Sequence, residues 1–409
     1  MSTQRVTELN KRAKSGDVTA QLTLAGLYES GEIIKRDYGL AAKWFFEAAQ
    51  QGSAKAQSRL GEMYLHGVGV NQDYEKALDW FKKAADQDDP GALANIGWMY
   101  QEGIGIKQDH QKSYKWYLRA AQLGHGGARY NVGYMYEKGI GIDANPEEAF
   151  DWYRQAARQG NSKAQLHMGM MLAEGRGTER NDIEAVEAFR KAAEVGYDKA
   201  MYNLALMYEK GQGVPKDTEQ MIQWCTRAAE QGNARAQYDL GMLYLKGKGV
   251  NKNHESARMW LETAAEQGYA RAQYVLGKAL IRGNAFDKDI QKGVKWLQAA
   301  AEQDYTKAQL SLGKMYMEGN GVEQDEEQGY ALIYAAANNG SKLACYSLGM
   351  LLYTGRGTEK NLHDAYLWLY GASKFGIKGA DRVLTKIEKK LRAADVMELK
   401  QEATTMFAD

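Results

Sequence analysis

The sequence predicts an all-α fold: an αα-hairpin solenoid of about ten 36-residue repeats with helical caps at both ends. Three observations predict it. Glycine or aspartate recurs every 36 residues, at Gly16, Gly52, Asp88, Gly124, Gly160, Gly196, Gly232, Gly268, Asp304, Gly340 and Gly376, with no insertion or deletion between them. Each unit carries two stretches of apolar residues at helical spacing. A glycine-marked turn separates the two stretches. A unit this short buries its apolar face only against its neighbours. The period therefore specifies a stack, although 409 residues would ordinarily suggest two or three domains.

Residues 1–16 read as a lone, polar capping helix, 17–376 as ten repeats and 377–409 as closing helices. Numbering each repeat from the residue after the preceding mark, position 4 is alanine in every unit, from Ala20 to Ala344. Positions 8, 9, 11 and 12 read like Leu240-Gly241 followed by Leu243-Tyr244, one face of an amphipathic helix A. Position 15 is glycine from Gly31 to Gly355, which suits a left-handed C-terminal cap. A second glycine at position 17 and an apolar residue at 18 shape the turn, as in Gly67-Val68-Gly69-Val70. Position 21 is always Asp or Asn, the N-cap of helix B, and Asn145-Pro146-Glu147-Glu148 adds Pro at N1 and Glu at N3. Helix B then carries Ala at 25, Trp at 28, an aromatic or aliphatic residue at 29 and Ala at 32 and 33. Its large side chains are expected to fill the space left by Ala and Gly on the next helix. At the back, Ala380, Leu384 and Ile387, then Val396, Leu399, Ala403 and Met406, keep helical spacing.

The 53 Lys+Arg against 52 Asp+Glu leave a net charge of +1, which argues against general attraction to nucleic acid or an anionic membrane. No run of about 18 apolar residues and no apolar leader occurs, so membrane insertion is not expected and the predicted location is cytoplasmic. A periplasmic or secreted location is the alternative if a signal peptide has been removed. Cys225 and Cys345 lie far apart in the array and read as buried small hydrophobes. Six scattered histidines give no metal-ligand spacing. The Gly-x-Gly steps, such as Gly103-Ile104-Gly105, follow helices and lack the Lys-Ser/Thr pair of a phosphate loop. No catalytic constellation, cofactor or metal is expected.

The segment Ala234-Arg235-Ala236-Gln237-Tyr238-Asp239-Leu240-Gly241-Met242-Leu243-Tyr244, continuing to Gln267-Gly268, resembles the Sel1-like repeat, a relative of the tetratricopeptide repeat. The resemblance recurs in register through about nine-tenths of the chain. It implies a right-handed superhelix with helix A lining the concave side, and an adaptor role toward proteins. Bacterial relatives that act as immunity partners of secreted toxins supply the alternative function; an enzyme of unknown type is the weaker one. Repeats 5, 8 and 9 depart from the pattern, with Leu172 and Ala188, with Leu280 and Arg282-Gly283-Asn284-Ala285-Phe286, and with Leu332. These departures read as drift.

Positions of helix A away from the packing face are where a partner is expected. Position 6 is tyrosine at Tyr130, Tyr202, Tyr238, Tyr274 and Tyr346, and position 3 is basic at Lys163, Lys199, Arg235, Arg271 and Lys307. Together they suggest a groove with aromatic platforms and cationic rims, suited to an extended acidic or aromatic-bearing segment. Eight of the nine tryptophans occupy position 28, whereas Trp98 stands at position 10, followed one repeat later by Tyr134. Asn95, Asn131 and Asn203 at position 7 resemble the amides that tetratricopeptide relatives use to hold peptide backbone. Self-association through the convex face is also open.

Overall fold

The computed structural model describes residues 3–407, in which 23 helices and no strand occur. A front helix, Thr3–Lys14, precedes ten A/B hairpins, and the chain closes with helices Ala380–Glu388 and Ala393–Met406. The contacts divide the chain into two compact units. One comprises Met1–Ala200 and Lys210–Lys216, the other Met201–Glu209 and Asp217–Asp409. Within each unit, successive helices pack on their chain neighbours, and the last helix folds back onto helix B of repeat 10, where Phe407 meets Trp368 edge-on at 5.8 Å.

Local chemistry sets the helix ends as the sequence predicts. Every Asp or Asn at position 21 caps helix B with its side-chain oxygen, as Asn145 does by accepting from the Glu148 amide. Every glycine at position 15 lies in the left-handed region, for example Gly67 at φ 69°. The second turn glycine is required by close approach as well as by its dihedral. A Cβ at Gly69 would stand 2.1 Å from the Tyr38 carbonyl oxygen, which belongs to the first residue of the preceding helix B. Aspartate can occupy the repeat-ending position because Asp88 and Asp304 adopt φ 59° and 58° there.

Packing departs from the expected pattern in two respects. Large meets small, but within each hairpin and not on the next helix: a Cβ on Gly61 would lie 2.7 Å from the Phe81 ring, and one on Gly133 2.9 Å from the Tyr153 ring. Position 29 thus covers position 9 of the same repeat. The second concerns tryptophan. Phe81 and Tyr153 at position 29 are fully buried, while the tryptophans at 28 are half-buried except Trp368. The two positions lie about 100° apart around the helix, and 29 shares its face with the alanines at 25, 32 and 33. The outer tryptophan faces then accept cations, with Lys83 Nζ 4.0 Å from the Trp80 ring centroid.

A ladder of buried glutamines links the repeats. Gln57 Nε2 donates to the Ala49 carbonyl of the previous helix B, while its Oε1 accepts from Gln87 at the end of its own helix B. Gln237 and Gln273 repeat both contacts. Each amide is satisfied on both sides, so burial is affordable and the register of adjacent hairpins is fixed. Cys225 and Cys345 are both buried and unpaired.

Candidate functional site

Helix A of each repeat begins at position 2, which leaves position 3 in its first turn pointing outward. Lys163, Lys199, Arg235, Arg271 and Lys307 are all exposed, and among the described residues no ion pair engages any of them. The position-6 tyrosines sit deeper. Tyr202, Tyr238, Tyr274, Tyr346 and Tyr130 are half-buried, and each is engaged. Tyr238 meets Tyr269 edge-on at 5.4 Å, and Tyr274 meets Tyr305 in the same way. Tyr269 and Tyr305 stand at helix-A N-caps with no side-chain cap bond, so an aromatic contact has replaced a cap. Tyr346 packs against the C-terminal core, beside Gly379.

Trp98 is half-buried against the core of repeats 2 to 4, with Asn95 half-buried on the same helix. Asn131 and Asn203 are half-buried. Tyr134 is drawn into a cluster that the sequence did not reveal. It stacks on Tyr130 at 6.3 Å and meets His167 edge-on at 6.3 Å. Lys163 Nζ lies 6.0 Å from the Tyr130 ring.

Beneath these rings lies Glu137, whose side chain is 5% exposed. Its Oε2 accepts from the Tyr153 hydroxyl at 2.7 Å and from His167 Nδ1 at 3.0 Å. Its Oε1 is met by Lys138 Nζ at 3.2 Å and Arg176 at 3.4 Å. A carboxylate only accepts, so His167 carries a proton on Nδ1. These partners, His167 foremost, hold the Glu137 carboxyl well below the usual carboxylate range against the opposing pull of burial. Burial in turn pushes Tyr130 up to about 12.

The Glu137–His167 contact exposes a register rule. Position 13 of one repeat faces position 7 of the next, 30 residues on. In repeats 1 and 2 the rule pairs Glu29 with Arg59, whose Nε donates at 2.9 Å. In the second unit it sets Glu209 toward Asp239, acid against acid. Asp239 accepts from the Tyr202 hydroxyl at 2.8 Å, and its carboxyl is pushed up by burial and by the Glu209 charge. Tyr202, Asp239, Cys225 and Lys246 line a cavity of about 180 Å³. The pairing could have been read from the sequence as acids at 13 followed by Arg, His or Asp at 7. The alanine and glycine marks, which dominate the period, conceal it.

Among the described residues no group of three or more His, Cys, Asp or Glu gathers as metal ligands would, and no helix is long and apolar enough to cross a membrane.

The Sel1 repeat matches residues 18–53, 54–89, 90–125, 127–161, 162–197, 198–233, 234–269, 270–305, 306–341 and 342–374. The crystal structure of c5321, a protective antigen present in uropathogenic Escherichia coli strains displaying an SLR fold, is 32% identical, with 98% of this chain and 95% of that chain covered and a TM-score of 0.65. A Sel1 repeat protein from Oxalobacter formigenes is 33% identical over 76% of this chain and 89% of its own, with a TM-score of 0.59. The immunity protein Pa5087 from Pseudomonas aeruginosa is 23% identical over 58% of this chain and 86% of its own, and its TM-score of 0.33 carries no functional argument. No curated protein matches the chain.

Proposed function

The chain belongs to the Sel1 repeat family, and from that premise we propose that it is a non-enzymatic adaptor whose A helices bind an extended segment of a partner protein. The observation that supports this reading is the exposed cation at position 3 in five successive repeats, free of ion pairs, with half-buried tyrosines at position 6 in three of those repeats. In the second unit, the exposed Arg235, Arg271 and Lys307 share a run of successive A helices with the half-buried Tyr202, Tyr238 and Tyr274. Exposed cations without partners add little to folding, because water already solvates them. They gain a charge-assisted hydrogen bond only when a carboxylate arrives. The tyrosines beside them are rigid, partly accessible and already held by neighbours, so binding immobilises few side chains. In the first unit, Trp98 with Asn95 and Asn131, and Tyr134 on the Glu137 cluster, offer a second aromatic surface.

Selection of linear peptides from a random display library on the intact chain tests the proposal. Peptides rich in acidic and aromatic residues should be enriched. Their binding should weaken by about tenfold or more in Arg235→Glu/Arg271→Glu, and in Trp98→Ala/Tyr134→Ala for those seated on the first unit. Circular dichroism should stay unchanged in both. Failure to enrich any linear peptide, with capture only of a folded toxin, would favour the immunity-type role.

A further inference from the structure

Repeat 8 lacks the second turn glycine that repeats 2–7, 9 and 10 carry; repeat 1, with Ile33 there, has only the front helix before it. In its neighbours that glycine has positive φ, 76° at Gly249 and 81° at Gly321. A Cβ there would strike the start of the preceding helix B, 2.8 Å from Thr218 and 2.3 Å from Ile290 respectively. Ala285 carries that Cβ and is not among the residues of positive φ. The turn of repeat 8 therefore takes a backbone conformation different from its counterparts beside His254, the first residue of helix B in repeat 7 (His254–Glu266). Phe286 is buried and anchors the turn from below.

A cavity of about 370 Å³ lies between these elements, with Lys252, His254, Lys278, Arg282 and Asn284 on its wall. Lys278 and Arg282 stand four residues apart near the end of helix A, Ala270–Arg282, and so share a face. Three full positive charges line the space and no carboxylate does. Among the described residues no ion pair engages Lys252, Lys278, Arg282 or Lys314. The crowding has a cost: burial, then the Arg282 and Lys314 charges, pull the Lys278 ammonium below its ordinary value. Lys314 is the counterpart of Lys278 one repeat further on, and position 10 is lysine in these two repeats alone. A cleft lined by one sign of charge concentrates ions of the other.

We propose that this cavity is an anion-binding site that seats consecutive acidic side chains of a partner segment. This rests on the adaptor reading above and specifies the chemistry of the segment. Two features favour a run of carboxylates over one compact phosphate. The Lys278 ammonium feels the charge of Lys314 as well as that of Arg282, and Lys314 belongs to the next repeat and is not on the cavity wall, so the positive charge extends beyond the cavity. The cavity wall also includes Leu245, Tyr274, Val275 and Ala279, which suit the methylenes of glutamate better than a fully polar dianion.

The test uses the full chain and fluorescein-labelled octaglutamate, with octaglutamine as the uncharged control, read by anisotropy. Octaglutamate should bind at least about tenfold more tightly than octaglutamine, with an affinity that falls as salt rises. Lys278→Glu/Arg282→Glu should abolish that preference. Ala285→Gly, which keeps every charge but lets the turn close, should weaken it as well. Equal binding of the two peptides, or a preference untouched by the charge reversal, would overturn the proposal. So would complete displacement by inorganic phosphate at the same concentration as octaglutamate, which marks a phosphate site. If octaglutamate fails while display-selected peptides still bind, this inference alone falls. If neither binds, the adaptor reading falls with it.

Discussion

Replacing Glu137 with alanine removes the acceptor shared by Tyr153, His167, Lys138 and Arg176. Lys138 and Arg176 are 47% and 40% exposed, so their ion pairs contribute a few tenths to about 1 kcal/mol together. The inner partners decide the magnitude. Tyr153 is fully buried, and its hydroxyl would be left without an acceptor, which costs about 1–3 kcal/mol. The His167 bond to a charged acceptor adds about 1.5–3 kcal/mol. Since these contributions overlap, the expected loss is about 3 kcal/mol. In a solenoid the loss should appear locally, because each repeat is stabilised chiefly by its neighbours. Hydrogen exchange followed by mass spectrometry is the suitable assay. Amides of helices Gly126–Lys138, Pro146–Arg158 and Ser162–Glu174 should exchange roughly a hundredfold faster, while those of Thr306–Glu318 stay as in the wild type. The sign with pH is also fixed. The folded-state pKa lies below the unfolded one, near 4.5, so the contribution is complete above that value and fades as pH falls below it. Wild type and Glu137→Ala should therefore converge in acid. A change of less than about threefold at neutral pH, or an equal change in the remote helix, would refute the reasoning.

Two further outcomes follow from groups that the fold holds at a cost. Asp239 has a folded-state pKa raised above its ordinary 3.8, so its contribution favours folding in acid and is lost as pH rises through the folded value. Asp239→Asn should accordingly raise the melting temperature at neutral pH and lose the wild-type gain on acidification; a lower melting temperature at pH 7 would contradict this. Ser113 is completely buried at position 25, and its hydroxyl has no hydrogen-bond partner among the described residues. Ser113→Ala should stabilise the chain by about 1 kcal/mol, seen as a higher denaturation midpoint, since alanine already serves at this position in six other repeats.

The parts of the site differ in how legible they were. Tyr130, Tyr134 and Lys163 stood out because they depart from, or recur within, an otherwise uniform frame. Glu137 did not, because an acid near the end of an exposed helix reads as solvated. Its burial depends on Tyr153 and His167, which reach it from helix B of the same repeat and helix A of the next. Tryptophan at 28 looked like the core residue because it is the larger side chain. The helix phase gives that place to position 29, as Phe81 and Tyr153 show. At Ala285 the sequence showed a missing glycine and suggested drift, whereas the structure sets a cationic cavity beside it.

By itself the sequence determined what depends on neighbours within one helical turn. The caps at position 21, the left-handed glycines at 15, the hairpin count and the apolar faces all follow from interactions spanning three or four residues, which a linear pattern records directly. Only the tertiary structure decided what depends on how far one hairpin is displaced from the next. That displacement brings position 13 against position 7, turning Glu29–Arg59 into an ion pair, Glu137–His167 into a buried network and Glu209–Asp239 into a repulsive pair. The same period yields all three, because it fixes which positions meet and leaves the charges there free to vary.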